Sequence, residues 1–73
     1  MSEYDRLRQR AHRLKEQYTA GTRVRLVSMD DVQAPPSGTF GTVVSVDDVG
    51  SVLVQWDTGS ILSVTDADEC VII

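Results

Sequence analysis

Cysteine is almost missing: Cys70 stands alone among 73 residues. No disulfide can form within the chain, and a lone thiol without a signal-like start fits a reducing cytoplasm. Histidine is equally scarce. His12 and Cys70 are the only soft ligands, and a structural zinc site needs four. No apolar run approaches the roughly 18 residues of a membrane span. Both prolines sit side by side, Pro35 and Pro36, so they punctuate a single loop. These gaps matter because the chain is short. A domain of this size buries only roughly 60% of its unfolded surface. With disulfide and metal gone, burial against a partner is the remaining supplement.

What is present begins with a division of charge. The formal net charge is -4. Residues 1–20 carry Arg6, Arg8, Arg10, Arg13 and Lys15 against Glu3, Asp5 and Glu16, a net of +2. Residues 21–73 carry Arg23 and Arg25 against Asp30, Asp31, Asp47, Asp48, Asp57, Asp66, Asp68 and Glu69, a net of -6. A basic arm is joined to an acidic body, and the two should attract, within one chain or between chains.

The arm has helical periodicity over residues 3–18. Tyr4, Leu7, Ala11, Leu14 and Tyr18 recur at helical spacing and form one narrow stripe. Ser2 can cap the start, with Asp5 completing a weak capping box. Gly21 is a natural stop. Arg6, Arg10 and Arg13 border one side of the stripe; Arg8, His12 and Lys15 border the other. An apolar seam flanked by cations suits an apolar, acidic surface. The chain's own body, another protein or second copy, and a phosphate backbone or anionic membrane all qualify. Tyr and Ala at the seam make a poor coiled coil. The expectation is docking through Tyr4, Leu7, Leu14 and Tyr18.

Residues 21–73 carry strand signals. Thr22 to Ser28 alternates, with Val24 and Leu26 on one face and Arg23, Arg25 and Val27 on the other. Met29 to Gly38 has a loop's composition and is long for so small a domain. Thr39 to Val46 is a second strand, where Gly41 suggests a bulge or bend. A turn at Asp47–Gly50 leads into Ser51–Trp56, and Asp57–Gly59 makes a hairpin into Ser60–Val64. Thr65–Glu69 has the look of a helical turn, and Cys70–Ile73 is a last apolar strand. Five strands in this order predict a mainly β fold, a small five-stranded SH3-like barrel preceded by one amphipathic helix. Closure would remove the sheet edges. The expected core is Val24, Leu26, Val43, Val46, Val52, Val54, Trp56, Leu62 and Val71.

Particular segments carry a resemblance. Gly21–Val24 (GTRV), Ser28–Asp31 (SMDD), Gly38–Val43 (GTFGTV), Val46–Gly50 (VDDVG) and Trp56–Ser60 (WDTGS) are similar to a small family. It is catalogued only as a domain of unknown function, number four-three-one-four. The resemblance implies a member of phages, integrated elements or gut bacteria. It covers residues 21–64 well, matches the final strand loosely, and does not clearly take in the helix. The V-x-WD-x-G element alone is less specific. It recurs in KOW-type and mind-bomb-type SH3-like barrels, and fold similarity there says little about function.

No residue set specifies a reaction. Asp30–Asp31 and Asp47–Asp48 are adjacent pairs whose side chains point apart, as turn-forming aspartates do. No calcium-loop spacing appears. His12 has no placed nucleophile beside it, and the dispersed glycines make no phosphate loop. No catalytic residue, cofactor or metal is therefore expected. The expected function is a non-enzymatic binding module of a phage or mobile element, acting on a protein partner, with inhibition of a host defence protein as one such role. Arg6, Arg10, Arg13, Met29, Asp30, Asp31, Asp47 and Asp48 are its candidate contacts. The alternative is a nucleic-acid-binding accessory factor that uses the arginine-rich helix.

Overall fold

A computed structural model describes residues 2–73. It contains one helix followed by five strands: α1 (Glu3–Gln17), β1 (Arg23–Ser28), β2 (Phe40–Val46), β3 (Val52–Trp56), β4 (Ile61–Val64) and β5 (Glu69–Ile72). The helix starts where the sequence places its cap. Ser2 has extended backbone, its hydroxyl oxygen accepts the Asp5 N–H at 3.2 Å, and the hydroxyl donates to the Asp5 carboxylate at 2.9 Å. Two otherwise orphaned polar groups are satisfied in this way, and Glu3 and Asp5 favour the positive end of the helix dipole. At the other end Tyr18 donates its N–H to the Leu14 carbonyl at 2.7 Å. Gly21 then takes a positive φ of 91° as the chain turns into β1, three residues beyond where the helix caps.

The strands form one antiparallel sheet in the order β4-β3-β2-β1-β5. The expectation of a closed barrel is corrected here: β4 and β5 are free edges and do not pair. Both are only four residues long. The link between them is held in a tight turn, where Asp68 donates its N–H to the Thr65 carbonyl at 3.0 Å and its carboxylate accepts the Thr65 N–H at 2.9 Å. The later part of the helix lies beside both edges. Arg10, Leu14 and Tyr18 form one wall of a cleft whose other wall includes Val52, Val64 and Cys70. Short edges limit the template they offer to other strands.

The core is made by strand residues on the inner face of the sheet, and the helix side meets it through Arg10, Leu14 and Tyr18. Val24, Leu26, Val43, Val52, Val54, Trp56 and Val64 are buried, and Ala11 is buried from the helix side. Val46 and Leu62 are half-buried against them, as are Tyr18, Met29 and Cys70. Val71 is a correction. It pairs with Arg25, while Cys70 pairs with Leu26. Cross-strand partners share a face, so Cys70 points inward and Val71 outward. Gly41 is a second correction. The bulge falls between Val43 and Ser45. Gly41 instead lies against Val54 and Trp56, where an added Cβ would come within 2.5 Å of the Val54 Cγ1 and 2.7 Å of the Trp56 Cε3. Its lack of a side chain makes room for the largest core residue. Residues 65–68 form a single hydrogen-bonded turn, and Glu69 already belongs to β5.

Candidate functional site

The later part of the helix and Tyr18 lie against one end of the sheet's inner face, beside Val52, Val64 and Cys70. Ala11 is sealed, and Leu7, Leu14 and Tyr18 are half-buried. Two ion pairs flank this contact. Lys15 donates to Asp48 at 2.7 Å, and Arg10 pairs with Asp66. The basic arm thus meets the acidic body in cis. Tyr4 does not join it. Its ring is exposed, and the Arg8 guanidinium lies 5.8 Å from its centroid. The helix extends past the sheet at that end, so only the later part of the stripe reaches the core.

The body's aspartates do structural work in turns. Asp47 accepts the N–H groups of Val49 at 3.0 Å and Ser51 at 2.9 Å. Asp31 accepts the Gln33 N–H at 2.7 Å. Burial raises the Asp68 carboxyl, but hydrogen bonds from the Thr65 N–H, the Asp30 N–H and the Thr65 hydroxyl outweigh it and hold it below the usual carboxylate range. Hydrogen bonding to Lys15 holds Asp48 low as well. No hydrogen bond or ion pair among the described residues joins Asp30–Asp31 to Asp47–Asp48. The two pairs therefore do not act as one carboxylate site. No group of three or more His, Cys, Asp or Glu residues among those described could hold a metal ion. Burial pushes the Cys70 thiol up, which keeps it protonated at neutral pH and a poor nucleophile.

The expected contact residues are therefore dispersed. Arg6 and Arg13 are exposed, with no ion pair among the described residues, whereas Arg10 is half-buried and already paired. Met29 is half-buried against the core. Asp30 is exposed and contributes its backbone N–H to Asp68.

A different set converges on the outer face. Register places Asp57, Phe40, Arg25 and Val71 in one row across β3 to β5. The next row runs Ile61, Gln55, Thr42, Arg23 and Ile73. Phe40 is 43% exposed, Val71 37% and Ile73 61%; Val71 and Ile73 are two residues apart at the sheet edge, and Phe40 stands across Arg25 from Val71. Arg23 is fully engaged. Its guanidinium donates to the two Asp57 carboxylate oxygens at 2.8 and 2.7 Å and to the Thr42 hydroxyl at 3.0 Å. The hydrogen bond from Arg23 holds Asp57 below its usual range. Arg25 has no carboxylate within ion-pair distance among the described residues. Alternation had put Arg23 and Arg25 on this face. Phe40 and Val71 could be added only once the register was known, because strand pairing alone decides which residues from distant segments stand side by side.

No curated protein and no solved structure matches the chain. The family described as "Domain of unknown function (DUF4314)" matches residues 7–73. The match takes in the helix from Leu7 onward as well as the whole sheet, so the helix is part of the family's unit, contrary to the narrower extent read from the motifs. The chain belongs to the DUF4314 family.

Proposed function

We propose that this chain is a non-enzymatic binding module, working by protein–protein contact in a phage or mobile genetic element. The origin rests on the resemblance of the Gly21–Ser60 motifs. The observation that carries the binding role is the outer face of the sheet. Phe40, Val71 and Ile73 stand exposed around Arg25 on one face, and apolar side chains gathered on one face support an interaction surface where singly scattered ones would not. The inner face has no such capacity, since its residues are packed into the core.

The test is capture from a bacterial extract with the purified chain, run with and without nuclease. A specific protein retained despite nuclease, and lost with Phe40→Ser, is the expected result. Retention that nuclease abolishes would instead support the second reading, an accessory factor for nucleic acid. One observation favours that reading: Arg6, Arg8 and Arg13 lie exposed on α1, without ion pairs among the described residues. Binding to a nucleic-acid probe at low salt, falling steeply as salt is added, would be its signature.

A further inference from the structure

We infer that the outer face around Phe40, Arg25 and Val71 docks a protein segment carrying a carboxylate between apolar side chains. This deepens the binding-module reading and rests on it. The reasoning begins with the two arginines of β1. They stand two residues apart on the same face, yet the fold neutralises only one. Arg23 is clamped by Asp57 and Thr42, and Arg25, flanked by Phe40 and Val71 in its own row, is left unpaired.

An occupant that covers the patch must deal with that charge. A wholly apolar surface would strip water from Arg25 and leave it uncompensated, which costs more than the apolar contact returns. A carboxylate answers a guanidinium with two parallel hydrogen bonds, and that geometry also fixes the occupant's orientation. Apolar side chains on either side of the carboxylate then meet Phe40 and Val71. A second copy of this chain fits poorly. A two-fold axis through the patch would set Arg25 against its own counterpart. A phosphate backbone fits poorly too. One free cation among apolar side chains, on a body of net charge -6 over residues 21–73, gives a nucleic acid no track to follow.

The experiment selects random linear peptides displayed on phage against the whole purified chain. The expected winners carry Asp or Glu flanked by large apolar residues. Their affinity should fall by about tenfold or more with Arg25→Gln, fall with Phe40→Ser, and stay unchanged with Arg13→Gln. The Tm of each variant is measured alongside. If Phe40→Ser folds poorly, Arg25→Gln and Val71→Thr carry the test, since both alter exposed side chains. Winners without acidic residues, winners indifferent to Arg25→Gln, or no enrichment at all would each overturn the proposal. Failure of the binding-module reading shows differently, as loss of all protein capture on nuclease treatment. Capture that survives nuclease and ignores Arg25→Gln leaves the module standing and removes this site.

Discussion

The two faces of this sheet are built from the same strands and meet different fates. In β1, Val24 and Leu26 are sealed in the core, while Arg23 and Arg25 face outward. On the covered side apolar residues meet apolar residues, and ion pairs stand at the margin. On the open side an unpaired cation sits in the middle of the apolar row and an ion pair sits beside it. A core places charge at its rim, because burying it unpaired is costly. A surface awaiting a partner can hold charge at its centre. The position of the charge therefore separates a finished interface from an unfinished one.

The sharpest way to break the comparison is to change neighbours in one strand. Leu26→Ala removes a side chain that is only 1% exposed, and it should destabilise the fold by about 2–5 kcal/mol. In a domain this small that is a large share of the total stability. Urea denaturation at neutral pH measures it, and a loss of under about 1 kcal/mol would mean that Leu26 is not part of a packed core.

Next in size is the seam between helix and sheet. Ala11→Asp puts a carboxylate where the chain is sealed, at a cost of about 1–3 kcal/mol. The helix should lift and the sheet should persist in part. Faster exchange of α1 amides, with β2 and β3 amides still protected, is the expected pattern. Equal loss of protection everywhere would show that helix and sheet unfold as one unit.

Much of this was legible in the sequence, for identifiable reasons. The helix, its Ser2 cap and all five strands follow from local periodicity and turn chemistry, which need only neighbouring residues. The prediction failed where distant segments decide. Barrel closure depends on whether β4 pairs with β5, and only the strand order, which puts them at opposite ends of the sheet, shows that they do not. Val71 is as apolar as Cys70, so only pairing with Arg25 shows that it faces outward. Gly41 carries a bend's signature, and only the Val54 and Trp56 side chains against it reveal a packing role. The candidate site suffered most. Charged residues attracted attention as contacts, yet Asp31 and Asp47 had already been taken up by backbone N–H groups.

Acid should discriminate between the faces more gently. Asp48 on the helix side and Asp57 on the open side both titrate below the usual carboxylate range, each held by a hydrogen bond to its cation. Asp68 is low as well, because hydrogen bonds override its burial. A lowered native pKa stabilises the fold fully above the unfolded value, near pH 4, and the contribution disappears as pH falls through the native value. The Tm should therefore be flat at neutral pH and decline below about pH 4. Asp48→Asn should blunt the part of that decline that reports on helix docking, and Asp57→Asn should leave that part intact. An identical acid response in both variants would contradict the assignment of one pair to each face.

The smallest effect on stability is the most telling, and it concerns the two arginines themselves. Arg23→Gln leaves Asp57 without its clamp, so the Asp57 carboxyl should move back up toward its ordinary range. Arg25→Gln removes no ion pair among the described residues, so the Tm and the carboxylate titrations should stay where they are. NMR titration of the carboxyl carbons measures both variants in one experiment. A carboxylate that shifts in Arg25→Gln would reveal a partner already in the chain, and the cation at the centre of the open face would then belong to the fold. An unchanged titration leaves Arg25 as a charge the folded chain does not use, on the face where apolar side chains are already arranged around it.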